Sequence, residues 1–483
     1  MSETKISLSI GGEARSASAE FERINPVTGE VATRAAAASV ADAVAAVDAA
    51  RAAFPAWAEK GPGARRAALM KAADALDAKA DDFIDAMMAE IGATEGWVRF
   101  NLMLASSMVR EAAGLTTQIG GEIIPSDKPG CLSMAVREPA GVVLSMAPWN
   151  APIILATRAI AVPLACGNTV VLKASEQCPR THGLIIEAFV EAGLGGGIVN
   201  LITNAPQDAA EVVGAMIDHK AVRRVNFTGS TAVGRIIARR CADNLKPAVL
   251  ELGGKAPFII LDDADLDEAV KAAAFGAFMN QGQICMSTER IIAVDAIADA
   301  FIEKFQAKVA TLAVGDPREG KTPLGAVVDF KTVAHVQSLV DDAVAAGAVL
   351  VNGGTSNGVL MPAHVVDKVT PDMKLFREES FGPVVAVIRA RDEDHAIELA
   401  NDTEYGLSAS VFTGDGARGL RVARRIESGI CHINGPTVHD EAQMPFGGTK
   451  ASGYGKFGGK AGIDSFTELR WITMETQPGH FPI

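Results

Sequence analysis

The sequence is short of aromatic residues, which make up 5% of the chain with 2 tyrosines and 4 tryptophans. Alanine, valine and the 47 glycines carry much of the rest, a composition suited to helices packed closely on sheets. Cysteines are few, and Cys131, Cys166, Cys178, Cys241, Cys285 and Cys431 are scattered with no C-x-x-C. That spacing excludes a disulfide framework and a zinc site and fits reduced thiols in a cytoplasm, and no residue cluster has metal-ligand spacing. Positive charge is in deficit, 45 Lys and Arg against 58 Asp and Glu, which argues against nucleic-acid and anionic-membrane partners. There is no unbroken apolar span. Residues 141–172 come closest, but Pro148, Asn150, Arg158, Pro163 and Asn168 interrupt them. The start, Met1-Ser2-Glu3-Thr4-Lys5, lacks the basic patch and apolar run of a signal peptide. Also missing are an internal repeat, a low-complexity tract and the dinucleotide fingerprint G-x-G-x-x-G.

What is present is 483 residues, enough for two to four domains, with 48% hydrophobic content to fill them. Ser39 and Asp42 form a capping-box pattern ahead of a helix over 39–57. Leu69, Ala73, Leu76, Ala80, Phe83, Met87 and Ile91 recur every three or four residues and predict a helix over 63–91. From 141 onward, short β-branched runs alternate with helix-length segments. The runs at 141–146, 169–173, 198–202, 222–227 and 248–251 predict one parallel sheet covered on both faces. A second set follows at 258–261, 290–294, 384–388, 409–412 and 430–433, with helices near 265–279, 297–312, 329–346, 393–401 and 415–427. The boundary between the two α/β units falls near Glu251–Lys255. Residues 466–474 read as a late strand that pairs with a distant element or another subunit.

Four segments carry chemistry. Cys285 follows a helical run and the turn Asn280-Gln281-Gly282, where exposed amides can stabilise a thiolate or oxyanion, although an isolated cysteine is more often a packing residue. Glu251 ends an apolar strand before Gly253-Gly254, where a carboxylate is expensive unless solvated, paired or used as a base. Phe227-Thr228-Gly229-Ser230 leads a strand into a helix start suited to phosphate, and a plain strand–helix turn would look much the same. Pro148-Trp149-Asn150 and Lys173-Ala174-Ser175-Glu176 follow parallel strands, at the ends where open α/β sheets bind ligands.

Taken in order with Glu379-Ser380-Phe381-Gly382-Pro383 and Pro445-Phe446-Gly447-Gly448, these segments resemble the aldehyde dehydrogenase superfamily over nearly the whole chain. Residues 204–208, 431–441 and Phe481-Pro482-Ile483, with the run 285–290, are similar to its bacterial aromatic-aldehyde branch. The resemblance implies an α/β fold of two doubly wound domains plus a small β oligomerisation element. Residues 1–117 and 140–252 would form the NAD-binding domain, 253–450 the catalytic domain, and 118–139 with 451–483 the bridging element of a homodimer or homotetramer. It implies oxidation of an aromatic aldehyde, vanillin foremost and salicylaldehyde or benzaldehyde as alternatives, through a thiohemiacetal and thioester on Cys285. Glu251 would be the base and Asn150 the oxyanion donor. Ala147, Pro148, Trp149, Lys173, Ser175, Glu176, Phe227, Gly229, Ser230, Val233, Leu252, Gly253, Glu379 and Phe381 would hold the cofactor. Glu176 favours NAD, and Lys173 keeps NADP open. Trp97, Ala151, Arg158, Ile284 and Met286 would surround the aldehyde, with a plain salt bridge the alternative for Arg158. Two departures from the family stand out. Ala151 replaces a bulky aromatic, and Phe457 replaces a second carboxylate.

Overall fold

The structure is a computed structural model that describes residues 4–478, 481 and 483. Met1–Glu3 at the start and Pro482 of the ending lie outside the described residues. The first sheet has eight strands in the spatial order Gly453–Tyr454, Ala248–Glu251, Val222–Thr228, Val142–Met146, Thr169–Lys173, Val199–Ile202, Leu8–Ile10, Glu13–Arg15. The five from Ala248–Glu251 to Val199–Ile202 run parallel. They are short apolar runs because helices cover both faces, so no alternation is required. The strand order reverses beside Val142–Met146, and a crevice opens there at the carboxyl ends of the strands.

The second sheet has seven strands in the order Val349–Asn352, His364–Asp367, Val384–Ala390, Thr288–Val294, Ala256–Ile260, Ser408–Phe412, Ile430–Ile433. All are parallel except the first pair. Two three-stranded sheets complete the β-structure. One is N-terminal and was not foreseen (Lys5–Ile6, Val31–Ala37, Ala19–Ile24), and one joins Thr467–Glu475, Cys131–Pro139 and Glu122–Ile124. The expected C-terminal span 451–483 is therefore divided. Gly453–Tyr454 extend the eight-stranded sheet, and the helix Gly459–Phe466 packs on the helices Pro152–Ala165 and Glu95–Leu115.

The helix Val40–Ala58 begins with the foreseen capping box, the Ser39 side chain accepting from the Asp42 amide. The single helix expected over 63–91 is two, Pro62–Ala78 and Ala80–Ile91, broken at Lys79. The apolar face keeps its phase across the break, so periodicity alone could not reveal it. The helix Pro152–Ala165 starts with proline, which has no N–H to leave unpaired, and every one of its residues is buried. Among the described residues no helix is long and apolar enough to cross a membrane, and no group of three or more His, Cys, Asp or Glu could hold a metal.

Candidate active site

The crevice continues as three adjoining cavities. The first, about 690 Å³, runs along the strand ends past Ala147, Pro148, Trp149, Lys173, Ser175, Glu176, Phe227, Gly229, Ser230 and Val233. The second, about 280 Å³, shares Pro148, Trp149, Gly229 and Ser230 with it and adds Asn150, Glu251, Leu252, Gly253, Cys285, Glu379 and Phe381. The third, about 250 Å³, shares Asn150 and Cys285 and is walled by Trp97, Ala151, Arg158, Ile284 and Met286, with Phe100, Phe275 and Phe446. Every residue expected at the site from the sequence lines one of the three.

Backbone strain sets the position of Cys285. Asn280, Gln281 and Gly282 all take left-handed φ, at +49°, +56° and +72°. Strain of this kind persists only where surrounding contacts over-determine it. Side-chain amides supply those contacts. Asn280 Nδ2 donates to Asn150 O (3.0 Å), Gln281 Nε2 to Ala326 O (2.8 Å), and the Gly325 and Val328 amides donate to the side-chain oxygens of Gln281 and Gln283 (2.9 Å each). At Gly282 a Cβ would lie 2.2 Å from Gly382 O, so no other residue fits. The Cys285 amide donates to no protein group among the described residues. Asn150 is held by Trp97 Nε1 donating to its carbonyl (2.9 Å), and its own Nδ2 donates to Gln283 O (2.9 Å). A side-chain amide has a second N–H, which leaves one for a ligand.

Glu251 is 1% exposed, and among the described residues neither carboxyl oxygen has a partner at hydrogen-bonding geometry. Burial pushes it up to about 7, against the opposing pull of the Cys285 thiol and Arg158. Burial first and Glu251 second hold the Cys285 thiol well above its ordinary value, and Arg158 works the other way. Glu379 is pushed up to about 8 by burial although it accepts from the Gly254 amide (2.8 Å). A Cβ at Gly253 would lie 2.7 Å from the Glu379 carboxyl, so glycine there lets the strand end approach.

The large groove fits a dinucleotide. Lys173 and Glu176 form an ion pair at its floor, Asn204 Nδ2 donates to Glu176 (3.1 Å), and Ser230 caps the helix Thr231–Asp243 whose first turn faces the cavity. A Cβ at Gly229 would collide with the Phe227 ring at 2.5 Å, and its absence keeps the phosphate turn open. Val233 and Ile236 stand exposed along the groove as an apolar shelf. The buried His182, pushed down to about 3 by desolvation and Lys173, accepts from the Ser175 amide (3.1 Å) as a neutral ring and shapes the turn.

Comparison with known proteins decides the family. Residues 14–472 match the model of the aldehyde dehydrogenase family. The chain belongs to this family. It is 58% identical to a vanillin dehydrogenase of Pseudomonas fluorescens, over 99% of both chains. A solved salicylaldehyde dehydrogenase from Pseudomonas putida G7, complexed with salicylaldehyde, superposes with a TM-score of 0.98 at 48% identity over 100% of both chains. A betaine aldehyde dehydrogenase from Staphylococcus aureus in complex with NAD+ superposes at 0.94 with 33% identity, over 98% of this chain and 95% of that one. The protein is thus an oxidoreductase that converts aldehydes to acids with NAD(P).

Sequence reasoning missed the amide brace of Asn280, Gln281 and Gln283, although three amide side chains within five residues of the cysteine were a visible signal. It also missed Asp440, which forms an ion pair with Arg158 across 282 positions of chain. Arg158 thereby has the salt bridge that was its structural alternative, and it still lines the third cavity.

Proposed function

We propose that this aldehyde dehydrogenase oxidises an aromatic aldehyde, vanillin foremost, to its carboxylic acid with NAD. The observation that carries the reading is Cys285, the shared wall of an apolar, aromatic-lined cavity and a carboxylate-lined one. Ala151 leaves the first of these open to a planar ring, and the 58% identity to a vanillin dehydrogenase supports the choice of substrate.

The thiol at Cys285 rests protonated. Its proton passes to Glu251 as the sulfur bonds to the aldehyde carbon. The Cys285 amide and the free N–H of Asn150 receive the oxyanion of the thiohemiacetal. When bound, the nicotinamide supplies the acceptor for the hydride on that carbon. A thioester then stands on Cys285. Glu251 sheds its first proton and takes another from a water, which attacks the carbonyl. The carbon–sulfur bond breaks, the acid leaves and the sulfur regains a proton.

Trp149 and Phe381, edge to face at 5.7 Å, would flank the cofactor beside the sulfur. Glu379 would accept from the nicotinamide-side ribose, and Lys173 with Glu176 would hold the adenine-side ribose. A 2′-phosphate there would meet the charge of Glu176, which favours NAD over NADP. The six unpaired cysteines fit a reducing cytoplasm. A homodimer, or a homotetramer built from it, would use the sheet of Glu122–Ile124, Cys131–Pro139 and Thr467–Glu475.

The test is a kcat/KM panel of vanillin, salicylaldehyde, benzaldehyde and a medium aliphatic aldehyde with NAD and NADP, followed by NADH absorbance. A better aliphatic substrate overturns the aromatic reading. Cys285→Ala should abolish turnover while NAD still binds. Glu251→Gln should slow both the burst of NADH and steady turnover, the latter by roughly 10²–10⁴-fold. A burst at the unaltered rate would assign Glu251 to thioester hydrolysis alone.

A further inference from the structure

One ion pair in the wall of the aldehyde cavity takes no part in these steps. Arg158 is the single charged residue of the helix Pro152–Ala165. Its Nη2 is held by the Asp440 carboxylate, and the two side chains are 5% and 7% exposed. Its guanidinium lies 4.0 Å above the Phe446 ring, which fixes its plane. Its Nη1 is buried with no hydrogen-bond partner among the described residues. Arg158, Asp440 and Phe446 line both the aldehyde cavity and a void of about 20 Å³ behind it, so the pair is the partition between them. The space behind has room for no more than a water, so only the aldehyde cavity can bring a ring oxygen to Arg158.

A lone buried guanidinium in an apolar wall would attract any anion that entered. Asp440 cancels that charge. The wall then offers a ring the unpaired Nη1 as donor and no net charge. A phenol or ether oxygen satisfies the donor. An ionised acid group gains nothing, because it must leave water and meet Asp440 as well as Arg158.

We propose that Asp440 sets the substrate class: by neutralising Arg158 it selects aromatic aldehydes with an uncharged ring oxygen and rejects those with a second, ionised acid group. This rests on the aldehyde reading of the cavity. No aromatic turnover at all by the unaltered enzyme would fail that reading instead.

The experiment compares kcat/KM for vanillin, benzaldehyde and 4-carboxybenzaldehyde at about pH 6.5, where a benzoic acid is ionised and a phenol is not. The unaltered enzyme should rank them in that order. Asp440→Asn keeps the shape and exposes the cation, and it should raise the ratio of 4-carboxybenzaldehyde to vanillin at least tenfold. An unchanged or lower ratio overturns the proposal, as does an unaltered enzyme that takes 4-carboxybenzaldehyde as well as vanillin. NAD binding, read by fluorescence, reports whether the variant folds. If it does not, the double variant Arg158→Met with Asp440→Leu replaces the pair by apolar groups of similar size. It should lose the preference for vanillin over benzaldehyde about tenfold without gaining 4-carboxybenzaldehyde, and a retained preference refutes the assignment.

Discussion

Two carboxyl groups in the catalytic cavity share one physical condition. Glu251 stands at about 7 and Glu379 at about 8, each raised chiefly by burial. The folded chain binds these protons more tightly than the unfolded chain, so their contribution to stability is full below the unfolded carboxyl value, near 4, and is lost as pH rises through 7 to 8. The protein thus carries two groups that are costly to ionise and that its chemistry needs ionised. For Glu379 this has a direct consequence. In its proposed role at the nicotinamide-side ribose it accepts more strongly as a carboxylate than as an acid, so below about pH 8 NAD binding releases a proton. NAD affinity should rise with pH, by up to tenfold per unit, to that point and level off above it. Fluorescence titration between pH 6.5 and 9 measures the slope, and Glu379→Gln should flatten it while weakening NAD binding. A flat profile in the unaltered protein would contradict this account.

At the scale of elements, Lys255, just past the strand that ends at Glu251, and the turn around Glu379 are tied to one strand. Glu289, in Thr288–Val294, pairs with the fully buried Lys255 at 2.6 Å and accepts from the Ser380 amide and hydroxyl and the Phe381 amide at 2.8–3.3 Å. Removing its charge leaves a buried ammonium unpaired. Glu289→Gln should therefore lower stability by about 3–5 kcal/mol, read as a lower urea midpoint with an unchanged slope. A loss under about 1 kcal/mol would show that water or the remaining hydrogen bonds suffice for Lys255. These ties also show what a sequence can and cannot reveal. The strands Thr169–Lys173, Ala248–Glu251 and Ile430–Ile433 were legible to the residue, because a buried parallel strand is a short apolar run ended by turn residues. The strands Val349–Asn352 and His364–Asp367 were not, since they form an antiparallel pair with no helix between them and so fall outside the strand–helix alternation that marked the others. Cys285, Glu251 and Asn150 were legible through motif order. Asp440 was not, because nothing local in 434–441 says that this loop returns to the helix Pro152–Ala165.

At the scale of the whole molecule, the three-stranded sheet of Glu122–Ile124, Cys131–Pro139 and Thr467–Glu475 leaves apolar side chains uncovered. Ile123 and Trp471 are each 75% exposed, Leu469 is 63% exposed and Met474 52%. Among the described residues the strand Thr467–Glu475 pairs along one edge only, with Cys131–Pro139, in an unbroken register of nine residues from Thr467–Pro139 to Glu475–Cys131. A long edge strand with large apolar residues is a liability unless something covers it. Within the chain, Trp471 Nε1 is already used, donating to Ser133 Oγ at 2.7 Å, so its ring is fixed and presented outward. A second free edge exists at the half-buried Ile430–Ile433, the last strand of the seven-stranded sheet. A second copy of the chain would cover both without leaving an open end, since a two-fold axis repeats each contact. Leu469→Glu with Trp471→Glu places two charges in that contact and leaves the catalytic cavities untouched. Light scattering after gel filtration should then read about 50 kDa, the mass of one 50.2 kDa chain, where the unaltered protein should read twice that or four times. An unaltered protein that elutes at the mass of one chain would remove the second copy as the cover, and a double variant that keeps its assembly would place the contact elsewhere on the surface.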